Sequence, residues 1–507
     1  MLLLAPLFFR SAAAFDSAHF SVTNDLSEPI PQRFVGFSIE VSSVPGVFLK
    51  GGLGGSPRFS FAALMNTLKD ESGSSLGPNF RLGGNSADES AWVPDPAPMP
   101  ANSTYRITQA DLDAYKSVLP SFNGTITLDT SLRYGTDPSY TLAHIAASKA
   151  SLGVFPLGFL ENIEIGNEPD LFFKNGIRSA SYNYSEYLSE YRRYVSAINS
   201  SGVLGSEPLG LIQAGTFASG RWDPEFASYC SAFPGHFGSV SVHSYAESTC
   251  PGTSTPTLAK LLDNNVTERL AAALVPLQKA ATAANTHLLI GEGNSVSCGG
   301  KEGVSDVFGA ALWSVDSLFT VASVGLTRWN FHGMPGGPYA TLAFPEANAE
   351  TVQVKPLYYG LLSFSAATAG PKSRLRGINT VSSSNSYLHC WAVQGINPTT
   401  DAGELRFVVL HKDPGVAVGG GANITVSVPP AFSQGAVGIL TRLLSGDKGM
   451  LTKWDGGISW GGLSWSNSSD GVPSGSRKNE TVSESGAGVY SFFLPAASLA
   501  ILTLPMA

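Results

Sequence analysis

Between residues 34 and 370 one pattern recurs eight times: a short apolar run of strand length, followed by a polar connection or an amphipathic stretch. The runs lie at 34–41, 79–82, 124–132, 160–165, 210–214, 239–243, 287–290 and 328–331, and stretches of helical periodicity at 59–68, 109–119, 185–198, 258–284 and 306–324. A crossover helix returns the chain to the end where the previous strand began, so the strands it joins run parallel. Eight such repeats close on themselves as an α/β fold, the (β/α)8 or TIM barrel. A doubly wound sheet competes only if a phosphate-binding loop is present. The Gly-rich segment 51–55 has neither the G-x-G-x-x-G nor the P-loop spacing, so it reads as a surface loop.

From Pro371 the texture changes. Runs at 386–393, 405–410, 424–428, 437–443 and 499–504 alternate with clusters of Gly, Asn, Asp and Ser. That pattern describes a C-terminal antiparallel β-sandwich domain. A further strand at 19–23, upstream of the barrel, is placed to complete that sandwich. The expected organisation is a leader at 1–14, an N-terminal strand segment at 15–33, the barrel at 34–370 and the β-domain at 371–507.

Composition narrows the function classes. Only 14% of the 507 residues are charged and 10% are aromatic, which describes a chain with a large core rather than a disordered one. The net charge is −8; residues 371–507 hold ten Lys/Arg and eight Asp/Glu, leaving −10 for residues 1–370. A nucleic-acid partner, whose footprint is basic, is disfavoured. Residues 2–9 form an apolar run, and small residues follow to Ala14, as in a secretory signal. Eight N-x-S/T sequons, at Asn102, Asn123, Asn183, Asn199, Asn265, Asn423, Asn467 and Asn479, agree with an extracellular glycoprotein. The apolar C-terminal segment could be a lipid-anchor signal, but Pro495 and interspersed Ser and Thr favour two closing strands. No other stretch approaches the length of a membrane span.

In such barrels reactive groups sit at the C-terminal ends of the strands. The fourth run ends in Gly166-Asn167-Glu168-Pro169 and the seventh in Gly291-Glu292-Gly293. Two carboxylates facing each other across a barrel mouth are what glycoside hydrolysis needs: one protonates the leaving oxygen, and the other attacks the anomeric carbon or activates water. An amide beside the acid, as Asn167 is, suits a sugar 2-hydroxyl.

These two motifs, with Arg81-Leu-Gly-Gly-Asn85-Ser86 on the second strand and Val242-His243-Ser244-Tyr245 on the sixth, resemble the retaining clan-A (β/α)8 glycosidases. Within that clan the chain is most similar to glycoside hydrolase family 79, the β-glucuronidase and heparanase-like family, whose architecture includes the C-terminal β-domain. The resemblance implies a double displacement with Glu168 as protonated acid/base and Glu292 as ionised nucleophile. It further implies Tyr245 as donor to the nucleophile, Asn167 as partner of the 2-hydroxyl, and Glu40, Asn85 and Asp88 as ligands of ring hydroxyls. The substrate carboxylate is assigned to the loops after strands seven and eight, with Ser297 and Tyr339 as neutral donors; Lys301 offers a charge.

Cys250 and Cys298 lie on neighbouring loops of one barrel face and are expected to form a disulfide. Cys230 and Cys390 are read as buried thiols. Among eight His none has H-E-x-x-H spacing and no C-x-x-C pair occurs, so no metal and no cofactor are expected. His243 and His332 read as wall residues, and Trp92, Trp222 and Trp329 as core residues or sugar platforms. The expectation is a secreted exo-acting β-glucuronidase acting on glycans or glucuronides, 4-O-methyl forms among them, without nucleic-acid or membrane partners. Its rivals are an endo-acting heparanase-like enzyme, a clan-A glycosidase for a neutral sugar, and a catalytically dead carbohydrate-binding protein.

Overall fold

A computed structural model describes residues 15–506 apart from 206–208, 234, 430–431, 433–434 and 467. The leader segment 1–14 and the sequon at Asn467 lie outside the described residues. Eight parallel strands close into a barrel in chain order: Val35–Glu40 (β1), Asn79–Gly83 (β2), Thr125–Thr130 (β3), Leu160–Ile165 (β4), Ile212–Phe217 (β5), Phe237–Ser248 (β6), His287–Ser297 (β7) and Trp329–Met334 (β8). After each strand comes a helix: Phe59–Ser72 (α1), Gln109–Val118 (α2), Ser139–Leu152 (α3), Tyr184–Ser201 (α4), Phe226–Ser231 (α5), Asn264–Ala283 (α6), Phe308–Val324 (α7) and Pro356–Ala367 (α8).

Local sequence explains the elements. Every residue of β3 is buried, which suits a strand covered by side chains inside and helices outside. Asn183 caps α4, and Glu186 returns the bond to the Asn183 amide. Tyr187, Tyr191, Tyr194, Val195 and Ile198 then form its buried stripe at helical spacing. The stretch 258–284, read as one amphipathic segment, is two helices. Asp263 leaves the helical conformation (ψ 141°), and its carboxylate caps Asn265 to start α6.

Strands β6 and β7 outrun the expected boundaries. Their pairing continues from Ser239 opposite His287 to Ser248 opposite Ser297. Glu292 therefore sits within a ladder, not on the loop that follows a short strand. Just past the ladder, Cys250 and Cys298 are joined by a disulfide.

The β-domain is a twelve-stranded sheet, eleven strands along one hydrogen-bonded path and the twelfth, Glu480–Val482, paired beside it with Gly438–Leu444. The N-terminal strand Asp16–Pro29 enters it between Arg374–Ser383, to which it is antiparallel, and Gly421–Ser427, to which it is parallel. The sheet folds over a core of its own, shared by Phe20, Phe407, Val409, Ile424, Tyr490 and Leu502. Alternation decides what faces the barrel: in Gly403–His411, Phe407 and Val409 point into that core, whereas Val408 and Leu410 join the barrel's. Across the joint, buried Asp316 of α7 accepts from Lys412 Nζ (2.6 Å), Trp391 Nε1 (2.8 Å) and the His389 ring (3.0 Å). Burial alone would raise this carboxyl, but His389 and Lys412 hold it well below the usual range. The C-terminal segment forms strands Val489–Pro495 and Ser498–Pro505. Cys230 is buried, as expected, whereas Cys390 is only half-buried.

Candidate active site

The site is built at the C-terminal mouth of the barrel. At the end of β4, Glu168 adopts a left-handed backbone (φ 52°), a conformation costing roughly 1 kcal/mol for a residue with a Cβ. Its amide donates to Thr216 O on β5 (3.2 Å), and Pro169 opens a 3-10 turn behind it. The Glu168 carboxylate meets Nδ1 of His243 at 2.8 Å.

Glu292 is 6% exposed, and both its oxygens are engaged. Tyr245 donates to Oε1 (2.8 Å), and Arg81 Nη1 donates to Oε2 (2.8 Å). His332 Nδ1 lies 3.6 Å from Oε2 and His243 Nδ1 4.0 Å from Oε1. Burial disfavours charge on Glu292. The fields of His332, His243 and Arg81, with the Tyr245 hydrogen bond, outweigh that and bring its pKa to about 2. Facing oxygens of Glu168 and Glu292 fall within 4.8 Å of one another. So close an approach of the nearest oxygens is in keeping with the roughly 5–5.5 Å between the carboxyl groups of retaining glycosidases.

Beneath the pair, Arg81 is fully buried and divides its guanidinium among Glu164, Glu292, Asp129 (3.1 Å) and the Asn167 carbonyl (2.9 Å). With its Oδ1 held from below, Asn167 turns its NH2 towards Asn85 Oδ1 (3.4 Å) on the exposed rim. Glu40 accepts from the amides of Asn85 (3.2 Å) and Ser86 (2.8 Å) and from the Ser86 hydroxyl, and stays 30% exposed at the mouth. Gly84 makes this possible: at φ 76° a Cβ there would stand 2.5 Å from the Glu40 carboxylate.

Asp88 departs from its expected role as a sugar ligand. It is 1% exposed, and its two oxygens accept from the amides of Leu132 (2.7 Å) and Asn167 (2.8 Å). It braces the backbone that carries Asn167 and Glu168. Burial, only partly offset by those two amides, raises its pKa to about 6.

The loop residues are placed as follows. The Tyr339 ring packs 6.4 Å from that of Tyr245 and 6.1 Å from that of His332. Only a glycine fits at 333, where a Cβ would lie 2.2 Å from the Tyr339 ring. Ser297 donates to Ser248 Oγ (2.8 Å) beside the disulfide, so its hydroxyl serves the loop junction in this arrangement. Trp222 and Trp329 are core residues, 3% and 1% exposed. The seven described sequon asparagines are all exposed, although the Asn183 side chain is engaged as the α4 cap.

Among the described residues, Glu168, His243 and Glu292 bring ligand atoms near enough to share a metal ion. Their electrostatics argue against that use: both Glu292 oxygens already take protein donors, and the Arg81 guanidinium supplies the local positive charge. Arg81 was given no role by the sequence, and His243 and His332, read as wall residues, instead face the carboxylates of the pair. A visible signal existed for Arg81, since a charge in the middle of the buried strand Asn79–Gly83 must be paired.

No protein-family model matches the chain. It is 27% identical over 378 residues to a β-glucuronidase of Neurospora crassa, covering 68% of this chain and 65% of that protein. It is 26% identical over 532 residues to a β-glucuronidase of Aspergillus niger, covering 96% of this chain and 93% of that protein. Among solved structures, a 4-O-α-L-rhamnosyl-β-D-glucuronidase from Fusarium oxysporum 12S superposes with a TM-score of 0.74 at 20% identity, over 96% of this chain and all of that one. A GH51 arabinofuranosidase from Xanthomonas axonopodis pv. citri superposes with a TM-score of 0.67 at 12% identity, over 96% and 100% of the chains. These structures share the barrel with its β-domain.

Proposed function

We propose that the chain is a retaining, exo-acting β-glucuronidase that removes terminal β-D-glucuronic acid, or its 4-O-methyl form, by double displacement. The observation that carries this reading is the pair of carboxylates within 4.8 Å, one of them wrapped in a tyrosine, an arginine and two histidines. Both likenesses in sequence are to β-glucuronidases, and one in structure is to a rhamnosyl-glucuronidase.

In the first step an oxygen of ionised Glu292 attacks the anomeric carbon while the Glu168 carboxyl gives its proton to the glycosidic oxygen. The aglycone leaves as an alcohol, and the sugar remains as an ester of Glu292. In the second step Glu168 takes a proton from water, whose oxygen displaces Glu292 and restores both groups. Three side chains serve the pair. Tyr245 and Arg81 fix the direction of the attacking carboxylate. His243, whose burial is outweighed by the charge of Glu292 and the Glu168 hydrogen bond so that its pKa is raised, holds the Glu168 carboxyl in place across 2.8 Å. The Asn167 NH2, Asn85 and Glu40 address ring hydroxyls. Tyr339 and the backbone of the adjoining loops address the uronate carboxylate with neutral donors, in keeping with the charge of −10 on residues 1–370. The same acidity argues against an endo-acting enzyme drawing a polyanion into a long cleft. Secretion and glycosylation belong to the proposal; the exposed sequons support both.

A panel of p-nitrophenyl β-glycosides tests the substrate. The glucuronide should be cleaved with the highest kcat/KM; preference for the galactoside or glucoside would overturn the assignment. Time-resolved proton NMR should show β-glucuronic acid as the first product, and an α-anomer appearing first would overturn retention.

A further inference from the structure

Beyond the sugar-binding groups, the loops after β4 and β5 carry a feature that the chemistry at Glu168 does not use. The 3-10 turn Pro169–Leu171 follows the acid/base and divides two consecutive aromatics: Phe172 is fully buried, and Phe173 stands 36% exposed. The Arg221 guanidinium, from the β5 loop, lies 4.4 Å from the Phe173 ring centroid and donates to Tyr182 O (3.2 Å). The two loops are held in register by Asp170. It is fully buried and accepts from the amides of Ala218 (3.1 Å) and Ser219 (2.7 Å) and from the Ser219 hydroxyl. Phe173 and Arg221 thus form a preordered surface patch, an aromatic ring with a cation anchored over it, five residues past the group that protonates the leaving oxygen.

Position and chemistry together say what such a patch takes. Glu168 delivers its proton to the glycosidic oxygen, so the leaving group lies on the β4 side of the site while the glucuronyl ring lies over Glu292. The guanidinium covers one face of Phe173, so a flat ring bearing oxygen acceptors is received on the outer plane and N–H edges of Arg221 and on the exposed part of Phe173. With a net charge of −10, residues 1–370 are poor in cations, and this one is fixed by its bond to the Tyr182 carbonyl. We infer that Phe173 and Arg221 form the leaving-group subsite, which selects aglycones presenting a sugar or aryl ring. The inference rests on the double-displacement reading above and deepens it.

The test compares three substrates that share the glucuronyl group: β-glucuronyl fluoride, whose leaving group is too small to reach the patch; p-nitrophenyl β-glucuronide; and glucuronosyl-β-1,6-galactose. Phe173→Ala and Arg221→Gln should each raise KM for one or both ring-bearing substrates by roughly fivefold or more, and leave kcat/KM for the fluoride within about twofold. Phe173→Tyr should restore the wild-type KM. The disaccharide and aryl arms tell a sugar-selective patch from one that accepts any flat ring. Equal losses on all three substrates, or unchanged KM on both ring-bearing ones, would overturn the subsite alone. A wild-type protein inert towards the fluoride as well as the ring-bearing substrates would instead overturn the glucuronidase reading, and the subsite with it.

Discussion

The substitution Tyr245→Phe isolates one contact in the catalytic pair. It removes a single oxygen, the one that donates to Glu292 Oε1 at 2.8 Å, and keeps the ring that packs against Tyr339. A hydrogen bond to a charged group contributes about 2 kcal/mol, which corresponds to about thirtyfold in kcat/KM if it is felt fully in the transition state. The same loss makes ionised Glu292 less favourable, so the acid limb of the pH profile should rise by about 1.5 pH units. Arg81, His243 and His332 still face the carboxylate and keep it ionised at neutral pH. Loss of activity at pH 7 therefore reports a misdirected nucleophile rather than a protonated one. The assay is kcat/KM against pH on an aryl glucuronide, with thermal unfolding as a control. Activity within twofold of wild type and an unmoved acid limb would refute the role given to Tyr245; a Tm lowered by many degrees would show that the hydroxyl matters for packing instead.

Three further outcomes follow from the same geometry. Glu168→Gln should lower turnover of substrates with poor leaving groups by about a thousandfold, with much smaller losses on glucuronyl fluoride, whose departure needs little protonation. Asp88→Asn keeps the shape but cannot accept from both the Leu132 and Asn167 amides, so about 1–3 kcal/mol should be lost near pH 4. Because the folded pKa of Asp88 is raised to about 6, its contribution is fully present below pH 3.8 and is lost as pH rises through 6, so the gap between wild type and variant should narrow over that interval in urea titrations. Glu292 has the opposite sign: its depressed pKa contributes stability above pH 4.5 that is lost as pH falls through 2. Replacing Cys250 and Cys298 with serine opens a 48-residue separation and should cost about 4 kcal/mol, read as a lower unfolding midpoint; alkylation of native Cys250 would contradict the bond.

The barrel was legible because strand-length runs recur eight times between stretches such as Tyr184–Ser201, whose inner stripe marks a helix, whereas burial on both faces of Thr125–Thr130 was not legible in its alternating Thr, Ile, Thr, Leu, Asp and Thr. Element ends were less legible. Strand β7 continues seven residues past Ile290 because its partner β6 extends with it, and pairing between distant segments leaves no local mark. The carboxylates of Glu168 and Glu292 stood out through their motifs. Asp88 was misread for a physical reason: an acid in the turn after a strand binds solvent, substrate or backbone amides alike, and only the approach of Leu132 and Asn167 decides which. Arg81 was quoted within a motif, yet its junction with Asp129, Glu164, Asn167 and Glu292 joins four strands and could not be assembled from any one of them.

The claim that Glu292 attacks the sugar has one direct measurement. Incubation with 2-deoxy-2-fluoro-β-D-glucuronyl fluoride slows the second step, so the glucuronyl ester accumulates and peptide mass mapping locates it. A single adduct on the peptide carrying Glu292, formed as activity is lost, is the predicted result. Stoichiometric labelling of Glu168, or inactivation with no covalent adduct, would contradict the assignment.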